Sequence, residues 1–271
     1  MCRDISFHSE IEEVQKVYPG LKDIRTRQLD TQSLIHRQAE VFASYPIIAT
    51  DEGQQVLADM EWGIKPLHIQ DKAEATERRR SMVNAKADRI LGDTSSYWHR
   101  LSQNRCLIPL TNIFEHRKIM TWTKKVPYAI RTTFHSEGLP YYVPGLYQWH
   151  YEPDENGQAV RKGTFTLVTT EANNVMRCIH NDGANKHRMP LFLTKEMENA
   201  WLNHTLTKAD MTEILQYIIP DQHLNYHTVH SLRTEGDRPD HKPKDALWIW
   251  ENLPPLGNDY PRGVGEQSSL F

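Results

Sequence analysis

The chain has 271 residues, of which 38% are hydrophobic, 25% charged and 9% aromatic, with a formal net charge of −3. That length suits one all-β or α+β domain with a substantial core, and the slight acidity excludes a global electrostatic pull on nucleic acid, so any such binding must come from a local basic surface. The three cysteines, Cys2, Cys106 and Cys178, are widely spaced and lack a C-x-x-C. This argues against a disulfide framework or a structural zinc site and fits a reducing cytosol. No signal-peptide pattern opens the sequence and no apolar run reaches membrane-spanning length. The chain therefore reads as a cytoplasmic monomer with no membrane partner.

Residues 9–17 predict a short helix with Ser9 as its N-cap and carboxylates in its first turn. Residues 45–64 predict a hairpin about the turn DEG. In its second arm Val56, Ala58, Met60, Trp62 and Ile64 alternate with mostly polar residues, the pattern of a half-buried strand. Residues 77–91 have helical character and carry the basic cluster Arg78, Arg79 and Arg80. NRCLIPLTNIFEHRK (104–118) reads as a buried strand ending in a polar turn. Further strands follow at 127–134, 139–152 and 163–172, separated by the turns SEG and DENG. The loop NDGANK precedes a strand at 187–193. Thr194 and Thr207 are expected to cap two helices, the second with a capping-box start, and YHTVHSL reads as a last strand. From about residue 235 a Pro/Gly-rich tail is expected to carry little structure. The order of elements favours α+β with antiparallel sheet.

Cys2 directly follows Met1. With Met1 removed, its α-amine and thiol would form a 1,2-aminothiol, able to condense with an aldehyde and then close a five-membered thiazolidine. The two groups titrate ordinarily near 7.7–8.0 and 8.5, close to the neutral range, and closure within one residue is favoured by proximity. An arbitrary second residue is the commonplace alternative.

Four segments bear on that choice: MCR, WGIKP with MVNAKAD, RCLIPLTNIFEHRK, and IHNDGANKHRMPLFL. In this order they resemble the SRAP family, whose members capture abasic sites in single-stranded DNA. The resemblance spans roughly residues 2–230 and implies a β-barrel-like antiparallel core with peripheral helices, a domain over residues 1–234 and no metal or organic cofactor. It further implies catalytic roles for Cys2, Asn84, Glu115 and His180. An amide such as Asn84 can donate and accept while staying neutral. A carboxylate such as Glu115, desolvated at the end of an apolar strand, has a raised pKa and can shuttle protons. An imidazole near pKa 6.5 can exchange a proton with a sugar oxygen.

The chain departs from the family pattern in places. The histidine usually stands two residues before the arginine of R-M-P, whereas here DGANK intervenes, so His187 competes with His180; Gly183 and Asn185 suggest that the loop is the insertion. The family arginine after the asparagine is Lys86, the usual glutamate is Asp88, and the aromatic after the glutamate is His116. A surface for single-stranded DNA is assembled from Arg3, Trp62, Lys65, Arg78, Arg79, Arg80, Lys86, Arg105, His116 and Arg117, since cations follow a backbone while rings stack on bases. Cys106 and Cys178 read as buried structural thiols. At the C-terminus, Gln267, Leu270 and Phe271 resemble a peptide that docks on a replication sliding clamp. A thiol peptidase acting on other proteins and a non-catalytic single-strand-binding adaptor are the rival readings.

Overall fold

The computed structural model describes residues 2–26, 34–136, 138–233 and 238–260. In chain order its elements begin with β1 (Asp4–Ser6), α1 (Ile11–Val17), β2 (Lys22–Asp23), β3 (Arg37–Gln38), β4 (Ser44–Asp51), β5 (Gln54–Trp62), α2 (Lys72–Arg80) and β6 (Asn84–Lys86). There follow α3 (Asp88–Leu91), α4 (Tyr97–Arg100), β7 (Arg105–Leu110), β8 (Asn112–Arg117), β9 (Val126–Thr132), β10 (Tyr141–Pro153) and β11 (Ala159–Glu171). The last are α5 (Asn174–Ile179), β12 (Arg188–Pro190), α6 (Lys195–Leu202), α7 (Lys208–Gln216) and β13 (Leu224–Thr228).

The hairpin anticipated at 45–64 is β4–β5, paired from Ser44↔Glu61 to Asp51↔Gln54. β4 pairs with β7, β7 with β10, β10 with β11, and β11 returns in parallel to β5. Five strands thus close on themselves, which leaves no free edge in the ring. The closure needs a glycine. Gly163 lies opposite Met60, and a Cβ there would sit 2.5 Å from the Met60 Cγ. Trp62 and Phe165 then stack across the same seam, ring centroids 6.1 Å apart. The fold is α+β, with a barrel-like core.

A second sheet runs β13–β9–β8–β1–β3. The chain crosses into it at Thr111, between β7 and β8. The segment 104–118 is therefore two strands rather than one, and Glu115 lies within the second, β8. The helical expectation for 77–91 holds at its two ends, in α2 up to Arg80 and in α3 from Asp88, and fails between them, where Asn84–Lys86 pair in parallel with Leu167–Thr169 of β11. Burial of Val83 and Ala85 against the barrel outweighs local helical preference. Thr194 and Thr207 do cap their helices, accepting from the amides of Met197 and Asp210. The first helix begins one residue later than expected, with Glu10 rather than Ser9 at its N-cap.

Residues 238–260 are packed, contrary to the expectation for the tail. Trp250, Leu253 and Leu256 lie against the core, and Leu247 bridges Val229. Apolar anchors within a Pro-rich stretch supply the burial that composition alone conceals. Cys106 is buried, whereas Cys178 is only half-buried.

Candidate active site

Four separate elements bring the site together. Cys2 sits just before β1 and is fully buried, its thiol 3.8 Å from the Asp4 carbonyl. Asn84 opens β6, and its Nδ2 donates to the Cys2 carbonyl at 2.8 Å. Glu115 comes from β8, which pairs with β1 through Asp4↔Phe114 and Ile5↔Ile113. His180 caps the C-terminus of α5, where its amide bonds the Met176 carbonyl at 2.7 Å. Its Nε2 lies 3.9 Å from Glu115 Oε2. Glu115 Oε1 and Asn84 Oδ1 are buried without a hydrogen-bond partner. Unpartnered buried acceptors on two residues that bear on Cys2, Asn84 through its carbonyl and Glu115 through its charge, are costly for folding and suit a site that handles protons.

The electrostatics follow from burial. Desolvation raises Glu115 from the ordinary 4.5 to about 7, so near neutrality its carboxyl both gives and takes a proton. Desolvation lowers His180 to about 4, leaving its ring neutral. Its Nδ1 lies 2.8 Å from the Arg188 carbonyl; a carbonyl only accepts, so Nδ1 carries the hydrogen and Nε2 presents a lone pair toward Glu115. The Cys2 thiol is pushed well up, first by burial and then by the carboxylates of Glu115 and Asp4. It is a thiol, not a thiolate, until a base takes its proton.

A cavity of about 320 Å³ opens on this pair. Glu115, His180 and His116 line it, with Arg3, Lys125 and Arg233 among the cations around it. Burial lowers the His116 pKa, which keeps a neutral ring on the cavity wall. Asp182 and the buried Asp4 also line the cavity, Asp4 lying 2.8 Å from His36 Nε2 and 2.7 Å from an Arg233 nitrogen. Burial opposes its ionisation, but those two hydrogen bonds outweigh burial and hold its carboxyl below the usual range. Asp4, His36, Lys125 and Arg233 escaped the sequence reading. None belongs to the quoted motifs; β1–β8 pairing and the loops beside β9 and β13 bring Asp4, Lys125 and Arg233 to the cavity that Glu115 lines, and His36 bonds Asp4.

The expected basic surface divides. Arg3 lines the cavity while pairing with Glu40 at 2.5 Å. Arg78 is exposed, Lys86 half-buried, Arg80 paired with Glu77 and Lys65 with Glu152. Arg79 is committed to the fold: it bonds Glu61 at 2.7 Å and the Gly63 carbonyl at 2.8 Å, and covers the Phe42 ring. Three expectations are corrected. Trp62 is 1% exposed and donates to the Val83 carbonyl, so it is core rather than a stacking platform. Arg105 is buried and satisfies the carbonyls of Trp201 and Asn203 at the end of α6. Arg117 is fully buried, held by Asp259 at 2.6 Å. Both guanidiniums are taken up by buried or part-buried carbonyls and, for Arg117, by the Asp259 carboxylate, and that commitment overrides a surface role.

His187 does not line the cavity. It stands at φ +62°, and its amide bonds the His180 carbonyl at 2.9 Å. Gln267, Leu270 and Phe271 lie outside the described residues. Among the described residues no helix is long and apolar enough to cross a membrane.

The family model for SOS response associated peptidase (SRAP) matches residues 1–233. This chain belongs to the SRAP family. It is similar to the abasic site processing protein YoqW of Bacillus subtilis (strain 168), 28% identical over 217 residues that cover 79% of this chain and 86% of the relative. The abasic site processing protein YoaM of the same organism is 29% identical over 168 residues, covering 62% and 66%. Among solved structures, a protein from Bacteroides thetaiotaomicron superposes with a TM-score of 0.73 at 25% identity, covering 92% of this chain and all of that one. One from Bordetella bronchiseptica reaches 0.65 at 18% identity over 85% of this chain, which shows the fold alone.

Proposed function

We propose that this SRAP protein processes abasic sites in single-stranded DNA by forming a covalent thiazolidine through Cys2 once Met1 has been removed. The observation that carries the reading is the Glu115–His180 pair beside the buried Cys2, opening to a cavity with cations on its wall. Similarity to proteins named for abasic-site processing supports the substrate class.

The chemistry balances within the site. The abasic sugar opens when its anomeric hydroxyl loses a proton, the ring C–O bond breaks and the ring oxygen gains a proton. His180 Nε2 is an acceptor at neutral pH, so it serves as the base, and Glu115 supplies the proton. The Cys2 amine adds to the aldehyde carbon, and the carbinolamine loses water to leave an imine. The thiol then adds across C=N: a C–S bond forms, and the thiol proton passes through Glu115 to nitrogen. Asn84, bonded to the Cys2 carbonyl, holds the nucleophilic residue still, which is the entropic part of the catalysis.

A thiol peptidase acting on other proteins is less well supported. Such an enzyme needs a depressed thiol pKa, and burial here raises it. A non-catalytic adaptor would leave the buried orphaned acceptors of Asn84 and Glu115 unexplained.

The test is incubation of the full chain with an abasic single-stranded oligonucleotide, followed by a denaturing gel. A heat-stable adduct is expected from protein lacking Met1. Cys2→Ser keeps the amine and should give at most an imine that needs a reductant to survive. A heat-stable adduct from Cys2→Ser, or from protein retaining Met1, refutes the mechanism. The C-terminal Gln267, Leu270 and Phe271 are proposed to tether the protein to a sliding clamp, raising its local concentration at replication forks. Equal clamp binding by the parent and a Leu270→Ala/Phe271→Ala variant, or binding by neither, removes the tether.

A further inference from the structure

The family match ends at residue 233, yet residues 238–260 pack back onto neighbours of Glu115 and His180 in the chain. The Trp248 amide bonds the Thr228 carbonyl at 2.8 Å, and Trp250 Nε1 bonds the Val229 carbonyl at 3.0 Å. This anchorage delivers residues 254–259 to Arg117. The Arg117 guanidinium donates to the Pro254 carbonyl at 2.9 Å, the Pro255 carbonyl at 2.7 Å and Asp259 Oδ1 at 2.6 Å. The other oxygen of Asp259 accepts from Asn181 Nδ2 at 2.9 Å. Asn181 in turn accepts from the Lys118 amide and donates to the Lys118 carbonyl, each at 2.8 Å.

The placement of these partners is specific. Arg117 lies two residues beyond Glu115 on β8, and residues two apart share a face of a strand. Asn181 is the residue after His180. Asp259 therefore joins the neighbour of one site residue to the neighbour of the other. The 3.9 Å between Glu115 and His180 is too long for a hydrogen bond, so that contact does not set its own geometry. The hydrogen-bonded bridge Arg117–Asp259–Asn181–Lys118 can set it. We propose that residues 238–260 form a brace in which Asp259 is the positioning residue that fixes His180 against Glu115. The brace rests on the proposed function only for the reaction it serves.

The test uses the full chain with Asp259→Ala and Asp259→Asn. Asp51→Ala, which breaks the Arg161 ion pair elsewhere on the barrel, is the control for a merely destabilised fold. Three quantities are measured well below the melting temperature: the pH profile of adduct formation on abasic oligonucleotide, affinity for an intact strand, and the His180 ring resonances by NMR. For Asp259→Ala we expect adduct formation to fall about tenfold or more, as displacement of a reacting group by a fraction of an ångström implies. Its pH midpoint and the His180 resonances should move, affinity for intact strand should stay within about twofold because the cavity cations are untouched, and Asp259→Asn should recover part of the rate. A folded Asp259→Ala that matches Asp51→Ala in rate, pH midpoint and His180 resonances overturns the brace. If the parent itself forms no adduct, the proposed function falls, while the His180 resonances still decide the brace. If Asp259→Ala does not fold, Asn181→Ala takes its place under the same outcomes, since it cuts the link to His180 and leaves Arg117 paired.

Discussion

Glu115→Gln should make the protein more stable at alkaline pH while impairing its chemistry. Burial raises the Glu115 carboxyl from 4.5 to about 7. In the unfolded chain it ionises near the ordinary value, so between those two pH values the folded state holds more protons. Folding stability contributed by this group is then greatest below pH 4.5, falls as pH rises, and has been lost once pH passes about 7. At about 1.36 kcal/mol per pH unit, the loss is on the order of 3 kcal/mol. Glutamine has no proton to lose and escapes it. His180 carries the opposite sign: its pKa is lowered to about 4, so its contribution weakens as pH falls from 6.5 toward 4. The two nearly cancel in the parent, and only the difference between variant and parent isolates Glu115. Melting curves at several pH values should coincide near pH 4 and separate above pH 7. For a chain of this size the separation should be about 6–12 °C in favour of Glu115→Gln. A difference that is flat with pH, or that favours the parent at pH 8, refutes the argument that Glu115 is a desolvated carboxyl.

His180→Ala should slow adduct formation by about 100-fold, the usual scale for losing a general base, while His187→Asn, chosen because asparagine tolerates a positive φ, should leave the rate unchanged; equal losses would show that the cavity geometry misassigns the histidine. Arg105→Ala should cost about 2 kcal/mol in urea denaturation because it removes the buried donor to the Trp201 carbonyl, with single-strand affinity of the folded protein unaltered; a DNA-binding defect without loss of stability would restore it to the binding surface. Arg233→Ala and Lys125→Ala should each reduce the salt dependence of single-strand binding by about 0.7 in slope, as expected for one phosphate contact; an unchanged slope would remove that residue from the DNA path.

The strand alternation of Val56, Ala58, Met60 and Trp62 made the β4–β5 hairpin legible, and the threonines at 194 and 207 announced their helices, because turns, caps and period-two burial are local properties. Cys2, Asn84, Glu115 and His180 stood out through the resemblance of their ordered motifs to the SRAP family, since each residue alone also fits a commonplace role. What local pattern could not contain is pairing between distant segments. The parallel docking of Asn84–Lys86 on β11 is such a case, and it put a strand in the middle of a stretch expected to be helical. Arg105 and Arg117 looked like DNA contacts because a sequence displays charge but not the buried carbonyls and carboxylate that claim it. The pKa values of Glu115 and His180 likewise depend on desolvation by neighbours scattered along the chain. So does the choice between His180 and His187, two residues seven positions apart of which only one lines the cavity. Residue types and their order determined which chemistry was available to this protein; long-range packing decided which of those residues meet, and in what state of ionisation.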